Sequence, residues 1–347
     1  MTMSKREVSR SPNLHDVAAL AGVSVMTVSR VLSGQTVRQD NDKKVRQAIE
    51  QLGYRRNSVA RALKGGRSSA IGVVIAGSQL FELPNVLLGI ETAAKAAGYW
   101  VNLASWQGGD AADLAESLNR LTDQSVEAIA LIADRPVAAE ALARVVAKVP
   151  VAVVMSGNVE GTDLGFVELD QELGARLAVE HLLGLGHHSV VHLTGALRAY
   201  DARARVQGWR SSLRSAGISD PEELEGDFTA ESGYRLAHNL IRRRRNMPTA
   251  IFAGNDQMAM GVLAAFAEKG IKVPTDVSLV GFDDIAGAGF LVPALTTVRQ
   301  DFVRLGATSI EILLRMLDGE GAITEKISPA LVIRKSTAPP PGAVRSG

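Results

Sequence analysis

Cysteine is absent from the chain, and with it go disulfides, thiolate metal sites and thiol redox chemistry. Aromatic residues are scarce at 4%, although hydrophobic residues as a whole reach 46%. A core must therefore be built largely of alanine, valine and leucine, a mixture suited to close-packed helices over parallel strands rather than to an all-β sandwich. Long hydrophobic runs are also missing. The longest clean stretch lies near Val149–Met155, far short of the roughly 18 residues that span a bilayer. The N-terminus is basic but no apolar segment follows it, so no secretory signal is visible. A soluble, cytoplasmic protein with no membrane partner is expected. No GxxxxGK(S/T) phosphate loop, HExxH zinc motif or GxSxG nucleophile turn occurs. GLGHHS (184–189) and GAGFLV (287–292) half-match a dinucleotide fingerprint, but both lack its third glycine, and the first precedes a strand instead of following one. The expectation is no enzyme, no cofactor and no bound metal.

What is present is uneven charge. Residues 1–67 hold 13 Lys/Arg against 5 Asp/Glu, although the chain as a whole balances to +1. A basic N-terminal segment on a mildly acidic body is the electrostatic footprint of a nucleic-acid-binding head. Residues 1–12 read as a flexible basic arm. From Asn13 the apolar spacing becomes helical. Leu14, Val17, Ala18 and Ala21 share a face, and Gly22 stops that helix. Ser24 suits the cap of a second helix, whose inward face is Val28, Val31 and Leu32. Two short helices across a glycine turn make a helix-turn-helix. A third helix is expected from near Asn41 through Val45, Ala48, Ile49 and Leu52 to Gly53. Asn57 suits the cap of one further short helix over 58–64, and GGRSS (65–69) reads as a linker. The head is thus expected over 13–57 and a hinge helix with linker over 58–69.

From Ala70 short β-branched runs alternate with amphipathic segments. AIGVVIA (70–76), YWVNLAS (99–105), EAIALIA (127–133) and VPVAVVM (149–155) form one series, and HSVVHLTG (188–195), TAIFAGN (249–255) and DVSLVGFDD (276–284) a second. Strand–helix alternation implies parallel sheets, and two series imply two Rossmann-like α/β subdomains. Ligands in such sheets bind beyond the carboxyl ends of the strands, so a cleft between the two is the expected small-molecule site. The tail STAPPPGAVRSG (336–347) is expected to be disordered. It carries no leucine heptads, which leaves no C-terminal coiled coil.

These motifs resemble a known family. HDVAALAGVSVMTVSRVLSG (15–34) is similar to the helix-turn-helix of the LacI/GalR family of bacterial transcriptional regulators, and LGYRRNSVARALKGGRS (52–68) to its hinge. LAVEHLLGLGH (177–187), DARARVQGW (201–209), GNDQMAMG (254–261), SLVGFDD (278–284) and PALTTVRQDF (293–302) resemble its effector-domain signatures. The last three are nearer to the lactose-repressor branch of the family than to its purine-repressor branch. The likeness runs from about Asn13 to Ile333. It implies an all-α head followed by two subdomains of the periplasmic-binding-protein type. Chain crossovers would divide the effector-binding and dimerisation domain (70–335) into subdomain N (about 70–168 and 300–328) and subdomain C (about 169–299 and 329–335). It also implies a homodimeric repressor on pseudo-palindromic double-stranded operator DNA, released by a small sugar, galactoside-like or other. Co-repression by a purine or phosphosugar is the alternative.

In the head the resemblance implies that the second helix enters the major groove. Ser24 and Thr27 would hold phosphates, and Val25 and Met26 would read shape and thymine methyls, being unable to make bidentate hydrogen bonds. Arg30 is the candidate for guanine. Leu14, His15 and Ser29 complete the implied contact set. In the hinge, Ala60 and Leu63 would enter the minor groove, leucine acting as the wedge that kinks the duplex, with Asn57 and Lys64 beside them. Arg56 stands where the family usually has proline.

In the cleft, Arg203, Asn255 and Asp283 match the family's ligand-gripping positions, with Asp201 and Gln300 as further polar contacts. A polyol needs fixed donors and acceptors at several hydroxyls, which an arginine fork, an amide and a carboxylate supply. Phe228 falls where an aromatic covers the sugar ring, and Phe81, Leu83 and Pro84 would form the other wall. Only one of Asp283 and Asp284 need face the ligand. Met155 stands where the lactose-repressor branch has a sugar-binding aspartate, so the same inducer is not implied. Two other signals are read as structural. His181, His187, His188 and His192 straddle a helix end and a strand start with no carboxylate to complete a metal site, and the run Arg242–Arg245 sits at a helix C-terminus, where cations suit the dipole. A transport protein of the same effector fold would lack the head, and an α/β enzyme would need an acid–base pair or nucleophile that the sequence does not supply.

Overall fold

The computed structural model describes residues 12–54, 68–76, 82–106, 111–133, 148–154, 163–219, 221–243 and 247–342. Helix α1 (Leu14–Ala21) begins at a reciprocal capping box: the Asn13 side chain accepts from the backbone N–H of His15 and Asp16, and Asp16 accepts from that of Asn13. It ends at Gly22, whose φ of 65° is left-handed and costs glycine little. After a turn, α2 (Val25–Leu32) departs at 105° to α1, within the helix-turn-helix range. Helix α3 (Gln39–Leu52) starts two residues before the expected Asn41. Its acidic Asp40 and Asp42 take the place of a side-chain cap, favourable at the positive end of the helix dipole. Val17, Val28 and Val45 are fully buried at the centre of the three helices, and Ala18, Ala21, Val31, Ala48 and Tyr54 complete a small core.

The chain divides into two units, 1–68 and 69–347. The second unit holds two six-stranded sheets. In sheet A, β1 (Ala70–Ala76), β2 (Trp100–Trp106), β3 (Ala128–Ala133), β4 (Val151–Val154), β5 (Gly165–Leu169) and β11 (Thr324–Ile327) lie in the order β11-β5-β4-β3-β1-β2, all parallel. In sheet B, β6 (Val190–Thr194), β7 (Glu223–Glu225), β8 (Ala250–Ala253), β9 (Ser278–Asp283), β10 (Thr296–Arg299) and β12 (Ala330–Val332) lie in the order β12-β10-β9-β8-β6-β7, and only β12 runs antiparallel. The central strands are buried on both faces, which is why they read as unbroken aliphatic runs. The helices are α4 (Leu83–Ala96), α5 (Ala111–Asp123), α6 (Gln171–Gly184), α7 (Tyr200–Ser215), α8 (Ala230–Arg242), α9 (Asp256–Glu268) and α10 (Phe302–Leu317).

The chain passes between the sheets three times: after β5, after β10 and between β11 and β12. Helix α10 therefore returns to sheet A and packs on α4. That packing is backbone-close, because a Cβ on Gly89 would lie 2.0 Å from the Val303 carbonyl oxygen and one on Gly306 2.0 Å from that of Val86. The tail departs from expectation. Residues 336–338 of the tail, read from its proline and glycine as disordered, lie against the start of the central strand β9. Ser336 is fully buried and its hydroxyl donates to the Leu279 carbonyl, while the Ala338 carbonyl accepts from Ser278 and the backbone N–H of Leu279 donates to the Ser336 carbonyl. Backbone pairing to β9 outweighs the local composition.

A candidate DNA-contacting face and an effector cleft

At the start of α2 the Ser24 hydroxyl accepts from the Thr27 N–H at 3.1 Å and lies 2.9 Å from the Thr27 hydroxyl. This N-cap fixes where the following side chains point. Met26 is 66% exposed, and Arg30 and His15 are exposed, while Ser29 and Thr27 are half-buried. Two residues of the implied set are shared with the core: Val25 and Leu14 both pack against the head's buried cluster. The sequence reading set Val25 and Met26 outward together. The helix separates them, because the short core needs the valine. Arg56, Asn57, Ala60, Leu63 and Lys64 lie outside the described residues, as do Phe81 and Met155.

In the second unit the two sheets meet at their carboxyl ends. Tyr200, just past β6, packs against the sheet A core that contains Trp106. Glu82, shortly after β1, is near enough to Asp283 at the end of β9 to disfavour its ionisation. The polar centre there is Arg205, only 4% exposed. Its Nε donates to the Gln171 side-chain oxygen at 2.9 Å and its Nη1 to the Gly254 carbonyl, and its Nη2 is 3.6 Å from Asp283 Oδ1 and 4.0 Å from Asp201 Oδ2. Gln171 in turn donates to Gln300 at 2.8 Å, and Gln300 to Asp283 Oδ1 at 2.7 Å. Arg205, Gln171, Gln300 and Asp283 thus close a ring of side chains. Two of them, Gln171 and Gln300, sit where the chain crosses between sheets.

Aromatic groups frame the ring. The Arg205 guanidinium lies 3.9 Å from the Phe282 ring centre and 5.6 Å from that of Phe228. Phe228 reaches this place at a φ of 71°, over Gly195, where a Cβ would come within 2.0 Å of the phenyl ring. Asn255 caps α9 by accepting from the Met258 N–H at 2.9 Å and donates to the Phe228 carbonyl at 3.1 Å. Asp283 and Asp284 also have positive φ, at 105° and 56°. Among the described residues, three of the five non-glycine residues with positive φ therefore line or adjoin this place, and strain of this kind gathers at functional sites.

The aspartates separate cleanly. Asp283 faces the ring, and burial pushes its carboxyl up to about 7, with Arg205 opposing and Asp256 and Glu82 adding to the rise. Asp284 pairs instead with Arg299 and Arg334, at 2.7 and 2.6 Å. Asp256, absent from the sequence-derived set, is fully buried and also pushed up to about 7, chiefly by burial. It accepts from the Thr297 hydroxyl and the Ile285 N–H, which ties β10 and the turn after β9 to α9.

Arg203 needs correction. Its guanidinium donates to the carbonyls of Leu197 and Arg198 and stacks 4.7 Å over the Tyr200 ring, so it secures the entry to α7. Arg205 takes the place assigned to it. Residues two apart on a helix point about 200° apart, and the DARARVQGW motif offers both faces. Asp201 is half-buried at the ring's edge, Leu83 is half-buried, and Pro84 is exposed at the start of α4. Three of the four histidines are tied into the fold: His181 lies 3.0 Å from the Thr337 hydroxyl, His187 is buried between Thr249, Ser278 and the Ala338 carbonyl, and His192 stacks on Phe252 with burial pushing its pKa down to about 3. Among the described residues no group of three or more His, Asp or Glu could hold a metal ion, and no single helix is long and apolar enough to cross a membrane.

Comparison with known proteins agrees with this anatomy. Residues 13–57 match the family model described as bacterial regulatory proteins of the lacI family, and 179–337 match that of a periplasmic binding protein-like domain. The chain is 34% identical to the lactose operon repressor of Escherichia coli K12 over 94% of its own length and 91% of that protein's. It is 32% identical to the HTH-type transcriptional repressor PurR of Haemophilus influenzae PittEE, over 93% and 98%. Among solved structures it is similar to the lac repressor dimer bound to operator and the anti-inducer ONPF, with a TM-score of 0.84, 32% identity and coverage of 95% and 100%. It is also similar to the CelR–cellobiose complex, with a TM-score of 0.69, 27% identity and coverage of 94% and 99%. By sequence over nearly its whole length and by fold, the chain belongs to the LacI family of bacterial regulatory proteins.

Proposed function

We propose that this regulator is a repressor that holds operator DNA as a homodimer and releases it when a small saccharide enters the cleft. The observation that carries the saccharide reading is the buried ring of Arg205, Gln171, Gln300 and Asp283 beneath Phe228. It presents fixed donors and acceptors beside an aromatic face, the arrangement a polyol's hydroxyls and apolar ring face require. The exposed start of α2, from Ser24 through Met26 to Arg30, supports major-groove reading. Leu63 of two partnered hinges would open the operator centre. Ligand would favour one arrangement of the subdomains over another and so shift the population that holds DNA.

A thermal-shift scan of purified protein against mono- and disaccharides, with purines as controls, tests the reading. A ligand at 100 times its Kd raises stability by about 2.7 kcal/mol. The same compound should lower affinity for a labelled operator duplex in fluorescence anisotropy. A shift with purines alone, together with tighter DNA binding, would replace induction by co-repression. That second outcome is kept because PurR relatives match almost as well.

A further inference from the structure

The second unit holds four apolar clusters, two on each sheet. Among the described residues their members stay with their own sheet and its helices, with one exception. Tyr200, the half-buried first residue of α7, follows β6 of sheet B, yet it packs against the sheet A cluster on the α5 face. Trp106 and Ala133 are the members of that cluster at the carboxyl ends of β2 and β3, in register with one another through Ala76. They form the end of the cluster that looks toward sheet B, and this is where a side chain from α7 arrives. Trp106 is 7% exposed, and its indole Nε1 has no hydrogen-bond partner among the described residues. A buried N–H left in that condition costs free energy, which opposes the gain from apolar contact. Two opposing terms suit a joint that has to open and close.

Tyr200 is held firmly from its own side. The Arg203 guanidinium lies 4.7 Å from the centre of its ring and donates to the carbonyls of Leu197 and Arg198. The Leu197 N–H donates to Glu225 at the end of β7, at 3.0 Å. The next residue along the helix, Asp201, brings its carboxylate to 4.0 Å from Arg205, which faces Asp283 at 3.6 Å. Successive residues stand about 100° apart round a helix. The first turn of α7 therefore addresses the polar ring with one residue and sheet A with the residue before it.

We propose that Tyr200 is a positioning residue, the strut through which the polar ring sets the arrangement of the two sheets. This rests on the ligand-controlled repressor reading above and supplies its moving part. A ligand that engages Arg205 or Asp201 displaces the first turn of α7, and Tyr200 carries the displacement to the carboxyl end of β2. The populations of the two arrangements shift by the difference in that contact.

The test needs no sugar. 5-Fluorotryptophan in the full chain gives one fluorine resonance for each of Trp100, Trp106 and Trp209, assigned with Trp100→Phe and Trp106→Phe. In Tyr200→Ala the Trp106 resonance should move and gain a solvent isotope shift. Those of the exposed Trp100 and of Trp209, fully buried in the core of sheet B, should stay. Operator affinity is read by anisotropy on a duplex that the wild-type protein selects from a random library. It should change at least about fivefold in Tyr200→Ala and less than about twofold in Tyr200→Phe, which keeps the ring. Weaker binding assigns the contact to the arrangement that holds DNA, and tighter binding to the one that releases it. A Trp106 resonance indifferent to Tyr200→Ala overturns the contact. A moved resonance with operator affinity changed less than about twofold makes Tyr200 a packing residue and overturns the strut. If the Trp209 resonance moves too, the alanine variant has lost its fold, and Tyr200→Leu, apolar but shorter, answers the same two questions. A sugar panel without a response strikes the saccharide reading and leaves the strut standing. A wild type that selects no duplex strikes the repressor reading, and the strut falls with it.

Discussion

The head and the cleft present polar groups in opposite ways. The head stands on eight buried residues, most of them valine or alanine, and carries its chemistry outward: Met26 and Arg30 are exposed on α2. The cleft buries its chemistry. Arg205, Gln171 and Gln300 are buried, and each holds the next, ending on Asp283. Exposed groups can be exchanged singly, so a head can change operators by point substitution. A buried ring must change together or fail. Specificity for DNA is therefore expected to be easy to alter at fixed stability, and specificity for the ligand hard to alter without affecting the fold.

The sharpest break in that comparison is Arg205→Ala. It leaves Asp283 buried without its main counter-charge, a loss of about 3–5 kcal/mol where one partner of a buried pair is removed. Urea denaturation should show it, and calorimetry should show no ligand binding. Arg203→Ala removes bonds at the entry to α7 and should cost about 0.5–1.5 kcal/mol with ligand binding retained. Equal losses from the two would mean that the ring is not the energetic centre of the cleft.

Asp283→Asn sharpens the point through pH. An unfolded aspartate ionises near 3.8 and Asp283 near 7, so the folded state keeps a proton that the unfolded state has released. That contribution is full below the unfolded value and is lost as pH rises through about 7. His181, His187 and His192 act the other way: their pKa values are lowered by burial, so their contribution is lost as pH falls below 6.5. The difference in Tm between wild type and Asp283→Asn isolates the carboxyl. Wild type should lose ground to the variant from about pH 4 up to about pH 7 and hold level above it. A constant difference would place Asp283 in a wetter setting than the ring provides.

The same contrast decides what was legible in the sequence. Helices α1 and α2 were, because caps and glycine stops are local: Asn13, Gly22 and Ser24 each act within a few residues. So were the aliphatic central strands. Strands β5, β7, β10, β11 and β12 were not expected as strands, being three to five residues long and dependent on neighbours for pairing. Arg205 was missed because the choice between it and Arg203 is a choice of helix face, fixed only when α7 packs on sheet B. Gln171 has the appearance of an ordinary first-turn residue until the crossover sets it against Gln300. The placement of residues 336–338 likewise comes from hydrogen bonds to the start of β9, nearly sixty residues away in the chain.

On the head, effects should be smaller and of another kind. Ser24→Ala removes the cap of α2 and should cost about 1 kcal/mol. Thermal denaturation of the full chain should place that loss in the transition of the head, and operator affinity should fall with it.

Met26→Ala is the limiting case. The side chain is 66% exposed and takes no part in a hydrogen bond or cap, so stability should stay within about 0.5 kcal/mol. Its loss should nevertheless change which base is preferred at the operator position it faces, because an apolar side chain in the major groove discriminates by contact with the thymine methyl. Anisotropy titrations against duplexes varied one base pair at a time would read this directly. An unchanged preference would mean that the half-buried Val25, or Arg30 one turn on, reads the base instead, and that the most exposed residue of α2 is not its most informative one.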